Sequence, residues 1–447
     1  MAGVDFVLAG ASMLVAYFTV AAMGYASAIS PGESLLAQAA LFAGAVSVSM
    51  VAMGLYSVKQ RYRLDGVIAR IFVGIGLAAV GIALVDFLFR FVGSRPVWVL
   101  ALAISALVLC IARVVFQRLI DDEVFRRRVL VYGAGKRASK ILQLRRRSDQ
   151  RGFRVVAFVP TASDEMVMED PRVLPFDACP MLDFVRAHRI DEIVIAVDDR
   201  RRSFPISDLL SCKLAGVGVI DLLEFLERET GRIKVDMLNP AWLIFSKGFA
   251  GTGRDHLSFR CLDLAMAMML SLLALPVGLV VALAIYLDDG APVFYSQRRV
   301  GFNGKPFVLH KFRSMKNDAE AAGARWASRE DDRVTRVGRW IRKTRLDELP
   351  QLINILKGDM SFVGPRPERP EFVNELACKI PYYHERHCVK PGLTGWAQLC
   401  YAYGASEEDA KAKLEYDMYY VKNRTLLFNI MILLQTVEVV LWQKGSR

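Results

Sequence analysis

The chain has no Cys-x-x-Cys pair. Its seven cysteines, at 110, 179, 212, 261, 378, 388 and 400, are scattered without regular spacing. That excludes the common zinc and dithiol redox sites. An odd, irregular set fits reduced thiols in a cytosolic compartment better than a disulfide framework. A basic segment ahead of the first apolar run is also missing, and that run leads into others, so a cleavable signal peptide is not expected. Acids are scarce in the apolar runs that open the chain, where Asp86 stands alone. An intramembrane acid is a functional candidate by default, but Asp86 lies near the end of its run, where a structural role is the simpler reading.

What is abundant is apolar and basic. Of 447 residues, 53% are hydrophobic, and the formal net charge is +12. The mean hydropathy of +0.29 is high for a soluble protein, so membrane segments are expected. The charge calls for anionic partners, and a positive-inside membrane protein explains it better than a nucleic-acid binder; nucleic acid is not expected as a partner.

Four apolar runs, near 6–26, 35–56, 67–91 and 97–116, are each long enough to cross a hydrocarbon core. Lys59, Arg61 and Arg63 separate the second from the third, and Arg118 and Arg126–Arg128 follow the fourth. The turn at Ser30-Pro31-Gly32-Glu33 has no cation. This asymmetry places both ends of a four-helix transmembrane bundle, residues 1–118, in the cytoplasm, although Arg90 and Arg95 dissent mildly.

Residues 119–228 read as a Rossmann-like α/β domain. Val129–Tyr132 is a strand, and Gly133-Ala-Gly135-Lys-Arg-Ala138 a glycine turn opening a helix. Strands near 154–159, 192–197 and 217–220 alternate with helical stretches, which predicts a parallel sheet. Gly133, Gly135 and Ala138 fit a dinucleotide fingerprint loosely, and no acid stands at the tip of the second strand to hold a ribose. Lys136 and Arg137 are suited to a phosphate there, and a purely structural domain is the alternative. Residues 229–258 read as a turn-rich linker.

Residues 259–447 form a third unit. The run 262–287 is long enough to span, but cations flank it on both sides, with Arg254 and Arg260 before it and Arg298, Arg299 and Lys305 after it. Pro276 near its middle removes a helix hydrogen bond. The economical reading is a re-entrant hairpin with both ends in the cytoplasm; a fifth crossing is the alternative. The stretch 425–442 is apolar but carries Asn429, Gln435, Thr436 and Glu438, and reads as an interfacial amphipathic helix.

The chemistry concentrates in this last unit. Asp347 and Glu348 are adjacent acids in a strongly basic neighbourhood, just ahead of Pro350. Adjacent residues on a helix project about 100° apart, so the two acids can serve one site from two angles. One can attack phosphorus while the other helps to hold a divalent cation. At a helix start both are favoured as anions. On the dipeptide alone, an acidic first turn with no catalytic duty is the commoner reading. Arginines at 333, 336, 339, 342 and 345 recur every third residue, as either a phosphate clamp or a solvated basic face. Further cations stand at Lys311, Arg313, Arg366 and Lys390.

These residues resemble the bacterial sugar transferase family, the monotopic polyprenyl-phosphate phosphoglycosyl transferases. The resemblance rests on Arg260-x-x-Asp263, Lys311-Phe-Arg-Ser-Met315, Leu346-Asp-Glu-Leu-Pro-Gln-Leu352, Lys357-Gly-Asp-Met-Ser361, Gly364-Pro-Arg-Pro367 and Lys390-Pro-Gly-Leu-Thr-Gly-Trp-Ala-Gln398, in that order over residues 258–447. With the bundle and the α/β domain it extends to the large members that initiate exopolysaccharide or O-antigen assembly. It implies that Asp347 attacks the β-phosphate of a UDP-sugar, that UMP leaves, and that the phosphosugar passes to undecaprenyl phosphate. Glu348 matches the second acid of the dyad, Mg²⁺ is the implied cofactor, Arg342 matches the arginine ahead of the dyad, and Pro276 matches the helix-breaking proline. The implied location is the bacterial inner membrane, multi-pass, with the catalytic unit in the cytoplasm. The sugar and a homo-oligomeric state stay open. A membrane-anchored nucleotide-sugar dehydratase or epimerase would need a Tyr-x-x-x-Lys helix. The one such spacing, Tyr132 to Lys136, lies in the glycine turn. A non-catalytic scaffold would leave the basic and acidic constellation without a role.

Overall fold

The computed structural model describes residues 2–23, 35–56, 64–89, 95–119, 126–144, 149, 152–161, 164, 168–174, 180–199, 204–246, 248–249, 253–316, 333–401, 404 and 406–441. The turn at 30–33, the cations Lys59, Arg61 and Arg63, and Arg90 lie outside them. The chain forms two compact units, Met1–Gly231 and Arg232–Arg447.

The first unit opens with helices α1 (Ala2–Ala22), α2 (Leu35–Ala52), α3 (Leu64–Phe89) and α4 (Arg95–Leu119). All four contain stretches long and apolar enough to cross a membrane, as expected for a membrane protein. They pack around one core in which Ala9, Ala16, Ala39, Ala43 and Ala101 are buried; small residues let helix backbones approach closely. Charge is not absent from this core. Asp5 pairs with Arg113 and accepts a hydrogen bond from Tyr56 Oη at 2.6 Å, while buried Arg70 donates to the carbonyl of Met53 at 2.8 Å. These groups sit near helix ends, so the runs conceal them.

Downstream come β1 (Arg127–Tyr132), α5 (Lys136–Leu142), β2 (Phe153–Val159), α6 (Met181–Ala187), β3 (Glu192–Ile195), α7 (Ile206–Leu214), β4 (Gly218–Asp221) and α8 (Leu222–Thr230). The strand order is β2-β1-β3-β4, parallel throughout. The apolar strands predicted from sequence are these strands. Val129, Leu130 and Val131 are fully buried at the sheet's centre, as a parallel sheet covered on both faces requires.

The second unit begins in the stretch read as a linker. There α9 (Pro240–Phe245) follows a short 3₁₀ turn, and Ile233 and Val235 enter a core with Val373, Leu376 and Met418. Then α10 (Gly253–Asp289) runs unbroken through Pro276. The expected change of direction at Pro276 thus comes with no interruption of the helix. Proline forfeits the amide bond to Leu272 and its ring crowds that carbonyl, which favours a bend, but a proline's fixed φ is compatible with a helix and the surrounding run is strongly apolar. Both ends of α10 dock on this same unit. Near its start Arg260 donates to the carbonyls of Ile355 and Leu356, each at 2.6 Å, and Asp263 accepts from Ser361 Oγ and Phe362 N, each at 3.0 Å. At its other end Asp288 accepts from Val337 N at 3.0 Å. Between them Leu272 is 76% exposed and Val280 68%.

The remaining elements are β5 (Phe294–Val300), β6 (Pro306–Phe312), α11 (Arg336–Lys343), α12 (Gln351–Lys357), β7 (Ser361–Val363), α13 (Pro370–Lys379), β8 (Gly392–Thr394), α14 (Trp396–Cys400), α15 (Glu407–Asn423) and α16 (Leu426–Leu441). Strands β5 and β6 form an antiparallel hairpin, and β7 and β8 a parallel pair. In α16, Asn429 accepts from Tyr420 Oη at 2.9 Å, and Thr436 Oγ1 lies 2.9 Å from that of Thr394. Two of the polar residues that make this helix look amphipathic thus dock it onto its own unit.

Candidate active site

Asp347 and Glu348 sit in a 3₁₀ turn, Leu346–Glu348, immediately before α12. Arg345 opens that turn in the left-handed region, at φ 61°, a conformation an arginine adopts only when its surroundings impose it. Pro350 caps α12, which places both acids at a helix start as the sequence predicts.

A buried amide locks this turn to the β-hairpin. Asn354 on α12 is fully buried. Its Oδ1 accepts from His310 N at 3.1 Å and its Nδ2 donates to Val308 O at 2.7 Å. It completes the edge of β6 as a neighbouring strand would, and this brings Lys311 to the acids. Arg366 arrives from the loop after β7. Gly364 begins that loop where a side chain has no room: an added Cβ would lie 2.3 Å from Lys390 O.

The result is an asymmetric dyad. Three cations converge on Oε1 of Glu348: Arg366 at 3.1 Å, Lys311 at 3.3 Å and Arg345 at 3.5 Å. Burial opposes its charge, but Lys311, Arg366 and Arg345 outweigh that and hold its carboxyl well below the usual carboxylate range. Asp347 differs. Burial pushes its carboxyl up, Lys311 pulls it down, and the charge of Glu348 pushes it up again. Its Oδ1 is buried and has no hydrogen-bond partner among the described residues. Glu348 organises cations, and Asp347 keeps an oxygen free. Burial also pushes the Lys311 ammonium down, against the pull of Glu348.

Not every predicted cation is here. Arg313 follows the end of β6, so strand alternation no longer aligns it with Lys311. It donates to the carbonyls of Asp289 and Gly290, each at 2.8 Å, and clasps the end of α10. Lys390 turns away: its ammonium would lie 3.6 Å from a Cβ on Gly358, beside Arg260. From the arginine series Arg345, not Arg342, reaches Glu348. The signal for Arg345 was its place nearest the dyad; the signal for Asn354 was one amide in the apolar run Leu352–Leu356.

Among the described residues no three His, Cys, Asp or Glu side chains cluster as a metal cage. Magnesium does not require one. It is commonly held by one or two carboxylates together with substrate phosphates. Adjacent Asp347 and Glu348, with the orphaned Asp347 oxygen, fit that mode.

The glycine turn of the first unit is occupied by the protein itself. Gly133 has φ +118°, where an added Cβ would meet Ala196 backbone at 2.6 Å. The amides that would face a phosphate are taken. Ala134 N donates to Asp164 at 2.9 Å, Lys136 N to Asp198 at 3.0 Å and Arg137 N to Asp198 at 2.9 Å. Ala138 is buried and serves helix packing. These carboxylates stand where a phosphate would, so CoA or NAD should leave hydrogen exchange at amides 134–137 of the purified protein unchanged. Protection of those amides by either compound would contradict this.

A bacterial sugar transferase model matches residues 254–443, and a CoA-binding domain model matches residues 51–202. The chain is 40% identical over 242 residues to UDP-N-acetylgalactosamine-undecaprenyl-phosphate N-acetylgalactosaminephosphotransferase of Aeromonas hydrophila, covering 54% of this chain and 56% of that protein. It is 32% identical over 332 residues to undecaprenyl-phosphate glucose phosphotransferase of Komagataeibacter xylinus, covering 72% of this chain and 60% of that protein. It is 30% identical over 338 residues to UDP-glucose:undecaprenyl-phosphate glucose-1-phosphate transferase of Xanthomonas campestris pv. campestris, covering 71% and 67%. The chain thus spans less than two thirds of the length of the first two of these relatives.

Proposed function

The chain belongs to the bacterial sugar transferase family, and from that premise we propose that it transfers a hexose 1-phosphate from a UDP-sugar to undecaprenyl phosphate with release of UMP. The transfer would be the first step of exopolysaccharide or O-antigen assembly. The observation that carries this reading is the asymmetric dyad, a buried carboxylate with a free oxygen beside one that gathers three cations.

In the first half-reaction an oxygen of Asp347 attacks the β-phosphorus of the donor. The bond from that phosphorus to the oxygen bridging it to the α-phosphate breaks, and UMP leaves with the electron pair. In the second, a phosphate oxygen of undecaprenyl phosphate attacks the same phosphorus and returns Asp347 as a carboxylate. Lys311, Arg345 and Arg366 present donors to the donor diphosphate and to the charge that develops on UMP. Glu348 holds these cations together against their mutual repulsion. The covalent step lets one anionic substrate depart before the other enters. Mg²⁺, held by Asp347 and Glu348 with the donor phosphates, would supply charge neutralisation at the diphosphate.

The purified protein should release UMP from at least one UDP-sugar in a panel offered with undecaprenyl phosphate, and chelation of Mg²⁺ should stop it. No UMP from any UDP-sugar would overturn the reading, and undiminished release in excess chelator would overturn its metal part.

The donor is cytosolic, so the site must face the cytoplasm. Docking of both ends of α10 on one folded unit supports a helix that enters and leaves the membrane on the same side. Single cysteines replacing Asp236 and Lys305, in a cysteine-free background, should both react with an impermeant reagent only from the cytoplasmic face. Labelling of either from the periplasm would make α10 a crossing helix.

A further inference from the structure

The loop that carries Arg366 is held by a buried ion pair that makes no contact with the dyad. Arg386, in the 3₁₀ turn Tyr383–Cys388, is only 6% exposed. Its guanidinium lies 2.7 Å from Asp417 Oδ2 on α15 and donates to Tyr383 Oη at 2.8 Å and to the backbone carbonyl of Arg366 at 3.0 Å. On the other side of the loop Arg299 donates to the carbonyl of Pro367 at 3.1 Å. The main chain of Arg366–Pro367 is thus gripped from two directions, while the Arg366 side chain extends to Glu348 at 3.1 Å.

A buried ion pair is a poor source of stability, because desolvation offsets most of the attraction. Packing alone therefore does not explain why charge stands at this place. Burial pushes the Asp417 carboxyl up and Arg386 pulls it back, leaving it at about 6. The Nη2 of Arg386 that faces Asp417 also donates to one carbonyl, and that carbonyl belongs to the arginine that reaches the dyad.

We infer that Arg386, anchored by Asp417, is a positioning residue for phosphosugar transfer: it fixes the Arg366 backbone so that the Arg366 guanidinium meets the donor diphosphate. The inference rests on the proposed transferase reading. It predicts that loss of the fork costs turnover through Arg366 and through nothing else.

Arg386→Lys keeps a charge opposite Asp417 but cannot reach the tyrosine, the carboxylate and the carbonyl together. Its kcat for UMP release should fall roughly 10- to 100-fold, the scale of a displaced positioning group, with a much smaller change in KM. Arg386→Met/Asp417→Leu removes both charges without stranding either, and should fold and show the same loss. Arg366→Ala should be severely impaired, and adding Arg386→Lys to it should cost nothing further. A merely structural role would instead multiply the two losses. Wild-type kcat in Arg386→Lys, or multiplicative losses in the double variant, would overturn the inference while leaving the transferase reading intact. An inactive wild type would overturn both.

Discussion

Asp347→Asn should abolish UMP release while the protein stays folded. Asparagine has nearly the shape of aspartate but no anionic oxygen to form an acyl phosphate. Loss of a covalent nucleophile costs on the order of 10³-fold or more. The fold should tolerate the change, because Asp347 Oδ1 has no hydrogen-bond partner to lose among the described residues and burial already disfavours the charged form. The measurement is UMP release by purified variant and wild type at matched folded concentrations. Turnover within tenfold of wild type would remove Asp347 from the chemistry.

Glu348→Gln should be nearly as damaging for a different reason. Its carboxylate pairs with Lys311, Arg345 and Arg366. An amide would leave three cations converging on a neutral group. Glu348 is buried but its arginine partners are 36% and 43% exposed, so its loss should cost less than the roughly 3–5 kcal/mol of a fully buried pair; the variant should still unfold at a lower temperature and lose about 10²-fold or more in kcat by misplacing its positioned donors. Asp347→Asn should show only the second kind of loss. If Glu348→Gln kept both wild-type stability and wild-type kcat, the cation-organising role would be wrong.

Several features of this site were legible in the sequence. Apolar period and glycine turns located the sheet of the first unit, and the acids beside Pro350 located the dyad at a helix start. Lys311 and Arg366, singled out by motif and chemistry alike, both reach Glu348. Arg313 and Lys390 point away from the dyad, because spacing carries no information on where a side chain turns just outside a strand. Arg345 rather than Arg342 reaches Glu348, because the helix stops at Lys343 and the chain enters a left-handed turn, which residue spacing does not reveal. Asn354 and Arg386 were invisible for a related reason. Each acts on backbone carbonyls far away in sequence, and a carbonyl leaves no trace in residue identity. Asp164 and Asp198 fill the glycine turn from loops whose proximity only the folded sheet creates.

The most direct test of the account is to give the purified protein its UDP-sugar in the absence of undecaprenyl phosphate. The account predicts a burst of UMP equal to the amount of active protein, together with a phosphosugar mass added to the peptide containing Asp347 and discharged when the lipid phosphate is supplied. UMP release that strictly requires the lipid phosphate, with no mass on that peptide, would contradict it.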